Sequence, residues 1–578
     1  MKLLTLVVTL IGTVLQISKA ALFDQSTLTA DTTYGKLEGI DLGESYGFIG
    51  VPFAKPPVGP LRFSSPKPLE GWNGTYKADV FGIGCMQYCS EPWSSCPTLV
   101  QEDCLYLNIF TPKDIFENPT KRGVLVFMHG GNFRNGAGGV PLYDGRFLAN
   151  KTGIIVVTIN YRLGAFGWLY LGEMFDPDAG EVVKLANFGM DDQRMAFQYV
   201  QDNIAVFGGD PNKVSIMVTI SGQSAGAQSA GLHLVTDRSN GLFQQLFMIS
   251  NPFALPYKLP EDALKLADVF AEELGCPPLD LACLRSKDAV DVQAASERAP
   301  STVINPREIL QFFEQWNPTV GEGEYPPEPV EAFEQGKFTK VPTMAGTVTE
   351  EGRGYIYGVF SNPVPWWMYR AVVRLLVPNI GKDIIEMYPP MTLADDQREI
   401  LNRLITDYIF LCSTSHVSQM MASYGVSDVY NYVNDAAFSF YWQWGSGDTC
   451  YLYPCHGGDL VFIFRTAPLA NETFTPGEQD MVDAMTAYIG NFVETGNPNT
   501  PVSGEQRSWQ QRNLPYWPQV YEKPGNTYTL YYSACKNSVI SGYRKEFCDF
   551  LDIYGYYGVP YLNSIPESMS FSDGRCHC

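Results

Sequence analysis

The run Gly222-Gln223-Ser224-Ala225-Gly226, set between a buried apolar stretch and a small-residue helix start, restricts the folds open to this chain more than any other feature. Ahead of it Val214–Ile220 reads as a buried strand, and behind it Ala227-Gln228-Ser229-Ala230-Gly231 reads as a helix onset. A strand that becomes a helix so abruptly brings its own flanks together, and side chains at 222 or 226 would clash. Glycine at both positions removes the clash, and the strain holds the Ser224 hydroxyl clear of the backbone. Helix onset also aims unpaired N–H groups and a positive dipole end at that hydroxyl. The turn suits a nucleophilic serine.

Other short apolar runs, Val124–Met128, Ile154–Ile159 and Thr343–Val348, are bounded by Gly, Asn or Pro and read as buried strands. Between them Met190–Val206, Ala263–Leu274, Ile400–Tyr424 and Glu478–Val493 carry apolar residues three and four apart, the helical spacing. Strands alternating with helices predict an α/β protein with a large, mostly parallel sheet flanked by helices. With no internal repeat and no long linker before residue 555, residues 21–554 are expected to form a single domain, followed by a flexible tail at 555–578.

The chain has 578 residues, 45% of them hydrophobic and 18% charged, which supplies an ample core and excludes a disordered or collagen-like chain. Its net charge of −22 argues against binding nucleic acid or an anionic membrane. Lys2, the apolar run Leu3–Ile17 and small residues Ser18 and Ala20 form a signal peptide over residues 1–20. No later stretch is long and apolar enough to span a membrane. The expected location is therefore the exterior, or the lumen of secretory or endosomal vesicles. Asn73-Gly74-Thr75, Asn150-Lys151-Thr152 and Asn471-Glu472-Thr473 fit the glycosylation acceptor.

A serine nucleophile also needs donors for the oxyanion that forms when it attacks a carbonyl. Ala225, next after the serine, offers one N–H. His129-Gly130-Gly131-Asn132-Phe133, directly after the strand Val124–Met128, offers Gly131 and Asn132.

With these motifs in hand, the chain resembles the type-B carboxylesterase and cholinesterase family of α/β-hydrolases, including its amoebal crystal-protein members. The likeness runs through Gly50–Phe63, Glu102–Asn108, Asn160–Gly167 and Asn203–Pro211, in the family's order. It implies the α/β-hydrolase fold and the order nucleophile, acid, histidine. The family's acid precedes a Gly in a turn after a strand, here Thr349-Glu350-Glu351-Gly352, which implies Glu351 with Glu350 as its neighbour. The family's histidine opens a segment matched by His456-Gly457-Gly458-Asp459. The chemistry agrees, since a serine hydroxyl needs an imidazole to take its proton and the imidazole needs a carboxylate to hold its tautomer. Of the five histidines, His129 lies in the oxyanion loop, His233 and His416 on helices and His577 in the tail, leaving His456 as the base.

The resemblance further implies disulfides Cys85–Cys104, Cys276–Cys283 and Cys412–Cys548. Cys89 with Cys96 and Cys450 with Cys455 are further candidate pairs. Thirteen cysteines cannot all pair within one chain. The tail Cys576-His577-Cys578 is expected to link a homo-oligomer through Cys576 or Cys578, the alternative being a bridge back to Cys535.

Two departures bear on function. Asn132 stands where the family has a third Gly, and Asn adopts left-handed backbone more readily than most residues. Gln223 replaces the Glu that precedes the nucleophile in many relatives, removing a carboxylate that could attract a cation. Trp93 is the candidate for stacking a quaternary ammonium. The sequence thus reads as a serine carboxylic-ester hydrolase for uncharged, fairly apolar small-molecule esters, working through an acyl-enzyme without metal or organic cofactor. The alternatives are a catalytically weak or inactive adhesion, storage or structural protein on the same fold and, among enzymes, a lipase or cholinesterase.

Overall fold

The computed structural model describes residues 22–556, apart from 91–93, 211–217, 303–308, 378–379, 393–394, 441–448, 502–513 and 523–525. The signal segment, Trp93, Cys576 and Cys578 therefore lie outside the described residues.

Eleven strands form the main sheet. In chain order they are β1 (Ile40–Asp41), β2 (Ser45–Pro52), β3 (Tyr106–Pro112), β4 (Val124–Met128), β5 (Ile155–Ile159), β6 (Val218–Gln223), β7 (Gln245–Ile249), β8 (Thr343–Val348), β9 (Val429–Asn434), β10 (Tyr528–Tyr532) and β11 (Ser538–Ser541). Their order across the sheet is β11-β10-β9-β8-β7-β6-β4-β5-β3-β2-β1. The stretch from β10 to β5 is parallel throughout, as the strand and helix alternation predicts. Both margins, β5 to β1 on one side and β10 to β11 on the other, pair antiparallel.

Both faces of the parallel part are buried. In β4, Val124, Val126 and Met128 enter one apolar cluster, while Leu125 and Phe127 enter the cluster on the opposite face. Successive side chains of a strand point to opposite faces, so a strand covered on both sides must read as an unbroken apolar run. Helices α1 (Phe188–Asn203), α2 (Ala225–Leu234), α3 (Pro260–Glu273), α4 (Arg398–Ile405), α5 (Cys412–Ser423), α6 (Leu460–Phe464), α7 (Pro476–Thr495) and α8 (Lys545–Tyr554) are among those that flank the sheet. A capping box opens α7, where the Thr475 side chain accepts from the Glu478 N–H and Glu478 accepts from the Thr475 N–H.

The helix expected over Ile400–Tyr424 is present as one continuous helical run, in which a π-helical turn, Thr406–Leu411, joins α4 to α5. A single widened turn with regular helix on both sides is too short to show in a periodicity read over the whole segment. The turn is anchored by Asp407, which accepts hydrogen bonds from Tyr388 and pairs with Arg544.

The motifs that carry the family likeness hold one another. Arg62 of the first donates twice to Glu102 of the second, each bond 2.6 Å long. Arg162 of the third clamps Asp192 of α1 through bonds of 2.8 and 2.7 Å, with both side chains buried. A buried, bidentate arginine pair tolerates little change in either partner.

Five disulfides close within the described residues. These are Cys85–Cys104, Cys276–Cys283 and Cys412–Cys548, as the resemblance implies, and Cys89–Cys96 and Cys450–Cys455. Cys412–Cys548 ties α5 to α8, and Cys450–Cys455 braces the chain immediately before His456. Cys535 is disulfide-bonded as well.

Candidate active site

Ser224 sits at the junction of β6 and α2 with φ of 55° and ψ of −124°, a strained conformation for a residue with a side chain. The close approach demanded of its glycines is present. A Cβ on Gly222 would come within 2.2 Å of Gly226, and one on Gly226 within 2.2 Å of the Met128 carbonyl oxygen. The Ser224 N–H donates to the Ile249 carbonyl at 3.0 Å, tying the turn to β7. Ser224 is 3% exposed.

The loop after β4 passes the same point. Gly131, Asn132 and Phe133 all have positive φ, at 105°, 52° and 59°. Asn132 thus occupies the left-handed region, one that Asn tolerates better than most residues. Among the described residues no acceptor takes the N–H of Gly131, Asn132 or Ala225. Supports hold the loop in place. The Tyr161 hydroxyl donates to the His129 carbonyl at 2.6 Å, Asn160 accepts from the Gly138 N–H at 2.8 Å, and Trp168 donates to the Phe133 carbonyl at 3.1 Å. Asn160, Tyr161 and Trp168 belong to or adjoin the third motif, which sequence reading used only for its likeness.

His456 and Glu351 meet. Nδ1 of His456 lies 2.5 Å from Oε2 of Glu351, whose other oxygen accepts the Val348 N–H at 2.8 Å. Glu351 is fully buried. Its neighbour Glu350 turns the other way, to Arg353 and Asn402, and burial raises its carboxyl above the usual range against the pull of Arg353. Of the two adjacent glutamates, Glu351 is therefore the one that meets His456. Aromatic rings of Phe410 and Tyr355 flank the imidazole at 4.9 and 5.5 Å.

Beyond the His456 ring lies a contact that sequence reading missed. Nε2 faces the Gln223 side-chain amide nitrogen at 2.9 Å, and no hydrogen bond joins Ser224 to His456. With the Nδ1 proton given to Glu351, the Nε2 lone pair accepts from the Gln223 amide. A glutamate at 223 could not make that bond to a neutral imidazole. The amide therefore holds the lone pair that would accept the Ser224 proton.

The remaining described histidines have other surroundings. His129 is buried and stacked on Tyr161, and burial pulls it down to about 4, so it is neutral. His233 is buried between Ser239 and Gln193. His416 faces Glu334 and Asp552. Burial opposes its charge, yet the two carboxylates raise it to about 9. Asp459, three residues beyond His456, is buried, accepts from Tyr432 at 2.8 Å, and is pushed up to about 7 by burial and by the charge of Glu351.

Ser224 and Asn132 line a cavity with Leu255, Phe313, Glu314, Tyr355, Ile405 and Phe410. The π-helical turn brings Ile409 and Phe410 to its wall. No cluster of His, Cys, Asp and Glu suited to a metal ion occurs among the described residues. No described helix is long and apolar enough to cross a membrane. The acceptor asparagines Asn73, Asn150 and Asn471 are all exposed.

Comparison with known proteins points to one family. The carboxylesterase family model matches residues 26–551. The cAMP-regulated D2 protein of Dictyostelium discoideum is 35% identical over 474 residues, covering 81% of this chain and 84% of that protein. The crystal protein of the same organism is 34% identical, covering 83% of each chain. The acetylcholinesterase of Bungarus fasciatus is 31% identical, covering 82% of this chain and 79% of that enzyme.

Proposed function

Because this chain belongs to the carboxylesterase family, we propose that it is a secreted serine carboxylic-ester hydrolase acting on uncharged, fairly apolar esters, with Ser224 as nucleophile, His456 as base and Glu351 as the acid that holds it. The observation that carries the reading is the Glu351–His456 pair held against Gln223, the residue before Ser224 on its strained turn, with the loop at Gly130 packed on the serine and three N–H groups that have no acceptor among the described residues.

In this mechanism the Gln223 amide gives way and Ser224 Oγ donates to Nε2 of His456. As Oγ attacks the ester carbonyl, Nε2 takes its proton, and Glu351 stabilises the resulting imidazolium. The carbonyl oxygen, now an oxyanion, receives the N–H groups of Gly131, Asn132 and Ala225. His456 returns the proton to the departing alkoxide, leaving an acyl-enzyme. Water, deprotonated by the same nitrogen, then attacks the acyl carbon, and His456 returns that proton to Ser224 Oγ as the acid is released. The largely apolar cavity walls favour apolar acyl groups, and Gln223 supplies no charge to hold a choline group.

A second reading has a specific observation behind it. The Gln223 amide occupies the base in place of Ser224, and one relative is named for a crystal. A catalytically weak or silent storage, adhesion or structural protein would have that arrangement. The signal segment, the paired cysteines and the exposed acceptor asparagines support export and glycosylation under either reading. Turnover of short nitrophenyl esters by the purified chain separates the two. It should be abolished in Ser224→Ala, and its absence from the wild type would support the silent reading.

A further inference from the structure

The cavity beside Ser224 contains a carboxyl group that the mechanism above leaves unused. Glu314, after the short helical turn Ile309–Phe313, is the one charged residue among the described residues that line it. It is 1% exposed. Oε2 accepts from Gln228 of α2 at 2.9 Å, whereas Oε1 is buried without a hydrogen-bond partner. The groups whose charges it feels or affects are Lys258, Tyr257 and Tyr161. Burial pushes the carboxyl up to about 7 despite the help of Gln228 and Lys258, so both of its forms exist near neutral pH. A buried oxygen without a partner is costly, and in a substrate cavity it is filled best by the substrate.

We propose that Glu314 is a specificity-determining residue that receives a hydroxyl carried on the acyl chain, so that short hydroxyacyl esters are preferred over plain alkanoyl esters. A hydroxyl donates to a carboxylate and accepts from a carboxylic acid, so it satisfies Glu314 in either form. An ammonium suits only the carboxylate and loses its hydration among Leu255, Phe313 and Phe410. The free space here is about 20 Å³, which suits the tip of a short chain beside Ser224 rather than a long one. A leaving alcohol needs a route to solvent, so the group held in so small a space is the chain that stays on Ser224. The inference rests on the reading of Ser224 as the nucleophile and narrows its substrate.

The test compares nitrophenyl butyrate, 3-hydroxybutyrate and 3-aminobutyrate, which share a leaving group. The wild-type kcat/KM should favour the hydroxy ester at least tenfold over butyrate, and Glu314→Leu should reverse the order. Glu314→Gln keeps the shape and can still bond a hydroxyl, so it should retain part of the preference and melt with the wild type. Calorimetry of the hydroxy ester and butyrate on Ser224→Ala reads the same discrimination without turnover. Failure of the wild type to cleave any ester, with the hydroxy ester still binding Ser224→Ala tenfold tighter, would sink the catalytic reading and keep Glu314. Cleavage of hydroxy and plain esters at equal kcat/KM, with equal affinity for Ser224→Ala, would overturn the assignment of Glu314 alone. A preference for the amino ester would overturn the choice of a hydroxyl.

Discussion

Replacing Gln223 by methionine should make the serine more reactive. The Gln223 side chain makes one hydrogen bond among the described residues, the 2.9 Å contact to Nε2 of His456. Methionine matches glutamine in length, keeps the site filled and offers no N–H. The substitution therefore removes the competitor for the lone pair and little else. A neutral hydrogen bond contributes a net of about 0.5–1.5 kcal/mol. At 1.36 kcal/mol per tenfold, its loss should raise the rate of Ser224 attack by about 2- to 13-fold. Two assays read this. One is kcat/KM on a short nitrophenyl ester, and the other is the rate of organophosphate capture, which needs no acyl-chain fit. Gln223→Glu should act differently, because a carboxylate bonds only the protonated imidazole and stabilises it. The rise of activity with pH should then move to higher pH than in the wild type. A fall of tenfold or more in Gln223→Met, at unchanged melting temperature, would refute the reasoning. Gln223 would then be orienting the base rather than occupying it.

Other expectations follow from the same site. Asp459 is held up to about 7, so the folded state resists an ionisation that the unfolded chain completes above about 4. That cost is absent at low pH and grows as pH rises through 7, up to about 4 kcal/mol. Asp459→Asn should therefore raise the melting temperature at pH 8 and change it little at pH 4, and equal shifts at both would contradict the burial argument. Asn132→Gly should broaden acyl acceptance with little change on short esters, because the left-handed φ of 52° already presents the backbone N–H. A uniform gain of a hundredfold would mean that the native oxyanion hole is defective. A disulfide-linked assembly through Cys576 or Cys578 should run above monomer on non-reducing electrophoresis and collapse in Cys576→Ser/Cys578→Ser. Monomer alone in the wild type would exclude the linkage.

The turn around Ser224 was legible because steric demand leaves no freedom at Gly222 and Gly226. The glycine loop at Gly131 was legible from its place after β4. Glu351 and Glu350 were not separable, since adjacent residues point in different directions and only the Val348 N–H and the Arg353 side chain show which faces inward. The π-helical turn is one widened turn inside a continuous helix, too short to register in a periodicity read over the whole segment. The antiparallel margins were missed because β1 is a two-residue strand and β2 and β11 carry no long β-branched run. Gln223 was read for the charge it lacks, but what matters in the fold is the N–H it gains. Glu314 gave no signal beyond an acidic residue set among Phe312, Phe313 and Trp316, a pattern that a half-buried helix also produces.

The central claim is that Ser224 is the activated nucleophile of an ester hydrolase. Incubation with an organophosphate followed by peptide mapping tests it most directly. One adduct per chain should form, on Ser224, in step with the loss of ester turnover, and none should form in His456→Ala. An adduct on another serine, or full turnover after Ser224 has been modified, would contradict it.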